Sequence, residues 1–472
     1  MARTILYVML KKQSKPELLS PVFDFVSLRA AIDAGADAVY FGVKELNMRA
    51  TAKNFELGQL KNAVEICHKG KIKAYLALNT IVYDTELHLL EKIIGAAKKA
   101  KVDSIICWDP SVISAAKKAK IPIHISTQAS VSNTDSARFY KKLGAERIVL
   151  ARELSLKQIS EIRKKADVWV ECFIHGAMCV SVSGSCFMSQ FVFGRSANRG
   201  DCLQPCRRKY FVKSLNNGGS TDFSLRSKSY SPPRRGQRKI CDFPSCARFA
   251  RQQPPARRPP RNGCFEGSNK TCLIKDVEEG YELELGQDYV MSPKDLCTLP
   301  FIEKLIEAGI DSFKIEGRAR SPEYVKVVTE CYREALDAYF DKKLTQQLKT
   351  RLMKRLGTVY NRGFSPGFYL GKPIDRWTTP DTKATEKKIF VGVVGNYYPE
   401  PGVAEIILQS GGIKLGDKIM FQGPTTGVFE QKAESMQISH KHVKEALKGK
   451  SVGIKVLKNV RKNDKVFIVK ER

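Results

Sequence analysis

The feature that most constrains the fold of this chain is the regular alternation of short apolar stretches with longer amphipathic segments. The apolar stretches are rich in β-branched residues, whereas intervening segments such as SLRAAIDAGA and LKQISEIRKKA repeat apolar residues at helical spacing. Eight strands are predicted on this basis: Glu17–Pro21, Ala38–Gly42, Lys73–Asn79, Ser104–Asp109, Ile121–Thr127, Arg147–Arg152, Val168–Phe173 and Ser312–Gly317. Because strands that alternate with helices form parallel sheets, the predicted fold class is α/β, a (β/α)8 TIM-like barrel.

Polar residues follow several of the predicted strands. In barrels of this kind, functional side chains gather at the carboxyl ends of the strands. Asn79 and Gln128 carry amides that can hydrogen-bond a base edge or a carboxylate, and Arg152 carries a cation at the same end. These three residues are predicted to bind substrate.

A cysteine-rich excursion separates the seventh and eighth predicted strands. Residues 171–210 contain five of the thirteen cysteines, and four of these lie in a Gly/Ser/Asn-rich context: Cys179, Cys186, Cys202 and Cys206. Such loops can bring several thiolates to one point, as zinc sites and iron–sulfur sites require, and the spacing leaves both open. An odd number of cysteines without a recognisable secretion signal predicts a reducing cytoplasm, where clustered thiols bind metal more often than they form disulfides.

Composition divides the chain into four segments. Residues 1–213 hold the first seven barrel strands and the cysteine loop. Residues 214–275 are rich in Pro, Arg and Ser and contain too few apolar residues for a core, so they are predicted to be a disordered insertion. Residues 276–385 hold the last barrel strand and helices. Residues 386–472 contain short β-type runs between Gly, Asp and Asn turns, which predicts a small all-β barrel.

The net charge favours a polyanionic partner. It is +31, and the segment from Arg226 to Arg261 contributes eleven Lys and Arg residues against one Asp, so most of the excess lies elsewhere. Nucleic acid is the expected partner. No apolar run approaches the roughly 18 residues that span a bilayer, so no membrane association is expected.

Several motifs in order carry a resemblance to a known family. They are AAIDAGADAVYFG, HGAMC, SGSC, NRGDCLQPCR, MSPKDLC and SFKIEGRARS. Together they resemble the collagenase-like peptidase family U32, from the first strand through the C-terminal β-region but not in the Pro/Arg-rich segment. The resemblance implies one of two activities, because members carry the name of peptidases while relatives are iron–sulfur proteins that hydroxylate RNA bases or quinone precursors without molecular oxygen. The architecture is most similar to the branch that forms 5-hydroxyuridine at the tRNA wobble position.

The resemblance also implies ligands and partners. Four cysteines match the clustered cysteines of the family and are expected to bind a 4Fe-4S cluster: Cys179, Cys186, Cys202 and Cys206. Zinc is the competing metal, and Cys297 is an alternative to Cys206 as the fourth ligand. The expected partners are tRNA and a small anionic metabolite, with prephenate as a possible co-substrate.

Two charged rows accompany the cysteine loop. Strand alternation places Glu171 and His175 on one face of ECFIHG, and Lys314, Glu316 and Arg318 on one face of SFKIEGR. The structural interpretation is a buried ion network of the Lys314–Glu171 or Arg318–Glu316 type. In the functional interpretation Glu171, His175, Lys314 and Glu316 are catalytic. His175 serves as acid/base or as a donor beside the cluster, and Lys314 and Arg318 hold an anionic substrate or cofactor.

Two other functions compete with RNA hydroxylation. A peptidase would need a nucleophile beside a base, for which His175 and Cys179 are the available pair, although a thiolate that binds a cluster is not free to attack. No HExxH motif is present. A non-catalytic RNA-binding accessory protein would need the basic surface but not the charged rows.

Overall fold

A computed structural model describes residues 14–48, 53–208, 292–317, 320–371, 378 and 382–472, and the backbone of 272–275 and 282–285. The strands are β1 (Glu17–Pro21), β2 (Ala38–Phe41), β3 (Lys73–Ala77), β4 (Ser104–Cys107), β5 (Ile123–Ile125), β6 (Ala145–Val149), β7 (Trp169–Gly176), β8 (Cys272–Lys275), β9 (Glu282–Leu285), β10 (Asp295–Cys297), β11 (Ser312–Ile315), β12 (Phe364–Ser365), β13 (Glu386–Tyr398), β14 (Val403–Leu408), β15 (Ile413–Lys414), β16 (Lys418–Gly423), β17 (Gly427–Lys432), β18 (Met436–Ile438), β19 (Lys441–His442), β20 (Glu445–Ala446), β21 (Ser451–Lys455) and β22 (Lys465–Glu471). The helices are α1 (Phe25–Asp33), α2 (Leu60–Lys69), α3 (Leu87–Ala100), α4 (Pro110–Lys118), α5 (Thr134–Lys142), α6 (Leu156–Ala166), α7 (Met188–Phe193), α8 (Ile302–Glu307), α9 (Pro322–Phe340) and α10 (Gln346–Thr358).

Eight parallel strands close into the predicted barrel. Strands β1 to β7 pair in sequence order, and β11 pairs with both β1 and β7, which closes the ring. Several helices begin at a side-chain cap that the sequence supplies: Asp24 accepts a hydrogen bond from the Ser27 amide before α1, and Asp109 accepts one from the Ser111 amide before α4. Apolar residues of the strands and helices form one large buried cluster between the two layers.

The predicted strand positions are confirmed, with small differences at the ends. β1 has the predicted bounds, whereas the sixth strand is Ala145–Val149 instead of Arg147–Arg152. A register change lies between β5 and β6, where Ile123 pairs with Ala145 but His124 pairs with Arg147. Arg152 therefore lies in the loop after the strand.

Charged side chains fill the interior of the barrel at mid-height. Glu171 is fully buried and accepts hydrogen bonds from Lys314 Nζ at 2.7 Å and Arg147 Nη1 at 3.1 Å. Arg147 also donates to Glu17 at 2.5 Å. Burial alone would raise the pKa of Glu171, but the two cations lower it to about 2. The predicted Lys314–Glu171 pair is therefore present, extended by Arg147 and Glu17.

Two further strands lie beside β7. β10 pairs antiparallel with the end of β7, where Leu296 is opposite Gly176, and β12 pairs with β10. Gly176 has φ +107°, and a Cβ there would lie 2.5 Å from the carbonyl oxygen of Glu316. Only glycine fits here, where the end of β7 passes close to the backbone that follows β11.

The C-terminal residues form the predicted antiparallel all-β region. Its eight-stranded sheet has the order β17-β16-β22-β13-β14-β21-β18-β19 and surrounds its own apolar cluster. Met420, Val428 and Val469 pack against Ala30 of α1. The β-region therefore lies against the outside of the barrel.

The predicted insertion, residues 214–275, lies outside the described residues except for Cys272–Lys275, whose backbone pairs with Glu282–Leu285. None of the helices in the described part of the chain combines the length and the apolar character that a membrane span needs.

Candidate functional site

A cavity of about 550 Å³ opens at the carboxyl ends of the barrel strands. Side chains of successive strands line it, among them Tyr40, Ala77 and Phe173, and the loop after β7 forms a wall. This is the end at which α/β barrels carry their functional groups. All four predicted cysteine ligands line the cavity: Cys179, Cys186, Cys202 and Cys206.

The cysteine loop is fixed to the barrel by a few specific contacts. The Cys186 amide donates to Asn198 Oδ1 at 2.9 Å, and Thr80 Oγ1 donates to the Asn198 carbonyl at 3.1 Å. Arg199 forms an ion pair with Glu86. Gly200 has φ +84°, and a Cβ there would lie 2.3 Å from the backbone oxygen of residue 47. These contacts explain why the loop needs Gly and Asn between its cysteines.

The four cavity cysteines differ from the other described cysteines in exposure. Cys179 is exposed and the other three are half-buried, whereas Cys67, Cys107, Cys172, Cys297 and Cys331 are all buried. Burial raises the pKa of the Cys206 thiol; Arg207 opposes this shift, and the other three cysteines add to it. The four cavity cysteines are available for ligation, while the buried five behave as small apolar side chains.

Four thiols on one loop are, by their chemistry, suitable ligands for either zinc or a 4Fe-4S cluster. No group of three or more His, Cys, Asp or Glu side chains among the described residues lies close enough to hold one metal ion. Ligation by four cysteines is the common arrangement of a 4Fe-4S cluster. The assignment of these four residues as ligands stays a prediction.

Cys297 is placed differently from Cys206. Its Sγ lies 3.7 Å from the Tyr332 hydroxyl and 3.7 Å from Met353 Sδ, and burial raises the pKa of its thiol to about 11. It does not line the cavity. The placement favours Cys206 as the fourth candidate.

Five cations and one carboxylate line the same cavity. The cations are Arg152, Arg207, Lys314, Arg320 and Arg362, and the carboxylate is Glu316. Lys314 pairs with Glu171, and Arg320 forms an ion pair with Asp295 at 3.0 Å. These two charges are compensated by buried carboxylates.

The other three cations have no carboxylate partner among the described residues. Arg152 donates from Nη1 to the Ala177 carbonyl at 3.0 Å, while its Nε and Nη2 find no hydrogen-bond partner there. Arg362 Nη1 is likewise buried without a partner in the described structure. Burial and the neighbouring Arg207 lower the pKa of Arg362. A cavity with uncompensated guanidinium groups is suited to binding an anion.

The predicted amides lie on one side of the cavity. Asn79 Nδ2 donates to Gln128 Oε1 and to Ser126 Oγ, both at 3.3 Å, and Asn79 Oδ1 accepts from the Met48 amide at 3.2 Å. The structure thus brings Asn79, Gln128 and Arg152 to the same cavity, as substrate binding would require.

His175 is turned away from the cavity. The pairing of β7 with β11 skips Ile174, so that Phe173 lies opposite Lys314 and His175 lies opposite Ile315. His175 is 1% exposed and its Nδ1 lies 3.4 Å from the Tyr332 hydroxyl. Burial and then Arg320 lower its pKa to about 3. The expectation that strand alternation places His175 on the face of Glu171 is wrong, because a bulge interrupts the alternation.

The remaining predicted catalytic residues divide into two groups. Lys314 and Glu316 line the cavity, whereas Glu171 lies beneath it and contacts Lys314. Arg318 lies outside the described residues. Sequence reasoning missed Arg207, Arg320 and Arg362. Arg207 directly follows Cys206 and Arg320 ends the motif KIEGRAR, so proximity to those motifs was the available signal.

A second cavity of about 550 Å³ opens at the opposite end of the barrel, where Lys73, His124, Arg147 and Trp169 line it. It holds no cysteine. That end of an α/β barrel ordinarily serves stability, so the thiol-rich cavity is the candidate site.

Fold and site together define an α/β barrel of the TIM type that carries a cysteine-lined, cationic cavity at its carboxyl end. A sequence profile of peptidase family U32 matches residues 24–379, and the chain belongs to this family. It is 37% identical to a collagenase of Porphyromonas gingivalis over 464 residues, which is 96% of this chain and 97% of the relative. It is 39% identical to an uncharacterized protease of Methanocaldococcus jannaschii over 465 residues, covering 96% and 98%. It is 31% identical to tRNA hydroxylation protein P1 of Bacillus subtilis over 426 residues, covering 89% and 87%.

Proposed function

We propose that this protein is an iron–sulfur-dependent tRNA modification enzyme that forms 5-hydroxyuridine at the wobble position, without molecular oxygen and with prephenate as co-substrate. The observation that carries the proposal is the convergence of four accessible cysteines and three uncompensated guanidinium groups on one cavity. The relative named for tRNA hydroxylation supports the choice of substrate. The net charge of +31 is consistent with an RNA partner.

The residues of the cavity have distinct roles in this proposal. When bound, a 4Fe-4S cluster supplies one-electron chemistry next to the substrate. Arg152 and Arg362 bind the carboxylates of the anionic co-substrate through their unpaired N–H groups. Asn79 and Gln128 orient the uracil edge by amide hydrogen bonds, and Glu316, which lines the cavity, transfers a proton there.

Lys314 lies at the floor of the cavity. Its ammonium group lies 4.4 Å from the ring centroid of Tyr40 and is held by Glu171. Glu171 therefore acts through Lys314 as a positioning residue and does not reach the substrate. A lysine fixed in this way stabilises negative charge that develops above it.

The first experiment tests the cluster. Anaerobic purification followed by iron and sulfide analysis should find about four iron atoms per chain. Cys186→Ala should lose most of the iron, whereas the matched variant Cys331→Ala, which removes a buried thiol away from the cavity, should retain it. A wild-type protein that holds only zinc would exclude the proposal.

The second experiment tests the reaction. Nucleoside mass spectrometry of tRNA from a deletion strain should show loss of 5-hydroxyuridine derivatives. Wild-type protein and Cys331→Ala should restore them, and Cys186→Ala should not. If tRNA from the deletion strain is unchanged, the substrate is not the wobble uridine.

Peptidase activity is the second candidate, because the chain is 37% identical to a relative named collagenase. The described cavity lining contains no histidine, and His175 packs against Tyr332 instead of facing Cys179. The nucleophile and base that a cysteine peptidase needs are therefore not side by side in the described structure. Gelatin cleavage that is abolished by both Cys179→Ala and His175→Phe would favour the peptidase. Cleavage that survives both changes indicates a contaminant.

A further inference from the structure

The helix in the cysteine loop presents two aromatic rings to solvent. Phe187 directly precedes α7 and Phe191 lies one turn later, with its amide donating to the Phe187 carbonyl at 2.8 Å. The two rings therefore lie on the same face of the helix. Phe187 is 71% exposed and Phe191 is 92% exposed. Because both side chains are so exposed, Phe187 and Phe191 do not contribute to the described core.

The aromatic pair lies at the edge of the candidate site. Cys186 and Met188, the residues on either side of Phe187, both line the cavity. The loop thus points its sulfur atoms inward and its aromatic rings outward. The pair therefore adjoins residues that line the cavity.

The surroundings of the pair are positively charged. Residues 179–208 contain four arginines against one aspartate and no lysine or glutamate. Arg208 is exposed and lies over the Phe193 ring at 4.3 Å. Neither Arg207 nor Arg208 has a carboxylate partner within the described part of the chain. Exposed rings near guanidinium groups that lack a carboxylate partner are the combination that binds single-stranded nucleic acid, because bases stack on the rings and phosphates pair with the cations.

We propose that Phe187 and Phe191 form a stacking platform for unpaired RNA bases that flank the nucleotide held in the cavity. The proposal rests on the proposed function for the identity of the RNA, since an anticodon loop offers unpaired bases on both sides of its target. The charge of the loop argues for RNA as the occupant over a second copy of this strongly basic chain. The platform would hold the loop open while the target base is turned into the cavity.

The test measures binding of RNA by the full-length protein at one fixed salt concentration, with fluorescence anisotropy as the readout. One probe is a hairpin RNA with an unpaired loop, and the other is a blunt-ended RNA duplex of the same length. Each of Phe187→Leu and Phe191→Leu should weaken hairpin binding about tenfold, because leucine is apolar but has no ring to stack on. Phe191→Trp should bind the hairpin at least as well as wild type. Duplex affinity should be unchanged in all three variants.

The matched control is Phe139→Leu, which removes another solvent-exposed ring, on α5. Phe139 is 57% exposed and does not line the cavity, so this variant should bind both probes like wild type. Hairpin affinity that is unchanged in Phe187→Leu and Phe191→Leu overturns the proposal. Unchanged affinity together with an altered sedimentation coefficient in Phe191→Asp overturns it in favour of a contact between copies of this chain.

The same variants separate this inference from the proposed function. If wild-type protein restores 5-hydroxyuridine in the deletion strain but the leucine variants bind hairpin RNA normally, only the platform is wrong. If the leucine variants lose hairpin binding while the deletion leaves the 5-hydroxyuridine content of tRNA unchanged, the platform stands and the reaction assignment fails.

Discussion

Replacement of Glu171 by glutamine tests the charge balance inside the barrel. Glu171 is fully buried and is the shared partner of Lys314 and Arg147. Its pKa of about 2 compares with an ordinary value of 4.5, and this difference corresponds to about 3 kcal/mol of stability at neutral pH. Removing one member of a buried ion pair independently predicts a loss of about 3–5 kcal/mol, because a charge is left unpaired. Arg147 keeps its ion pair with Glu17, so Lys314 is the cation that loses its carboxylate partner.

The assay is urea unfolding followed by tryptophan fluorescence, since Trp108 and Trp169 both lie in the barrel. Glu171→Gln should lower the free energy of unfolding of the barrel by about 3 kcal/mol at pH 7. The difference in free energy of unfolding between wild type and Glu171→Gln is fully present above pH 4.5. It disappears as the pH falls towards 2, because the carboxylate is protonated in the unfolded state before it is protonated in the folded state. Asp167→Asn is the matched control: it removes a carboxylate from an exposed pair with Lys141, and should cost less than about 1 kcal/mol.

A second change separates lost pairing from lost packing. Adding Lys314→Met to Glu171→Gln removes the unpaired ammonium group, so the double variant should be more stable than Glu171→Gln alone. If Glu171→Gln unfolds within about 1 kcal/mol of wild type, or if the double variant recovers nothing, the electrostatic explanation of the barrel interior is refuted.

Two further predictions concern the end of β7. His175 has a pKa of about 3, well below its ordinary value, so it is neutral in the folded protein. Between pH 6.5 and pH 5 the free energy of unfolding of the wild type should therefore fall by about 2 kcal/mol more than that of His175→Phe, because only the unfolded histidine takes up a proton. Equal pH dependence of the two proteins in urea unfolding would contradict this. Gly176→Ala should lower the free energy of unfolding by at least about 2 kcal/mol because of the positive φ and the contact with Glu316. The control is Gly95→Ala within α3, where no atom lies near the new methyl group, and it should raise the free energy of unfolding by up to about 1 kcal/mol. Both values are read from unfolding midpoints.

The sequence predicted the barrel well because its signal is local. Each strand is a short β-branched run, and each helix has an apolar stripe and often a capping residue such as Asp24 or Ser155. The strand ends were less accurate, since register is decided between neighbouring strands. The change at His124 and Arg147 illustrates this: no pattern within either strand marks it.

The candidate site was predictable where residues adjoin a motif and unpredictable where the fold brings distant segments together. The cysteines, Asn79 and Gln128 were found from loop composition and strand ends, and the cavity contains them all. His175 was misplaced because a bulge depends on the pairing partner. Arg362 comes from a loop more than 150 residues after the cysteines, and only the closed barrel places it beside Arg207.

The division between compensated and uncompensated cations explains how a strongly positive cavity is stable. Lys314 and Arg320 are paired with the buried carboxylates of Glu171 and Asp295, so these two cations are fixed before any ligand binds. Arg152 and Arg362 carry no such partner in the described structure, and their unpaired N–H groups are costly when the cavity is empty. A cluster held by four thiolates is itself an anion, so it would take up part of this positive charge and leave the rest for an anionic substrate. Binding of both groups would therefore stabilise the folded protein, and their affinities should be linked through the same guanidinium groups.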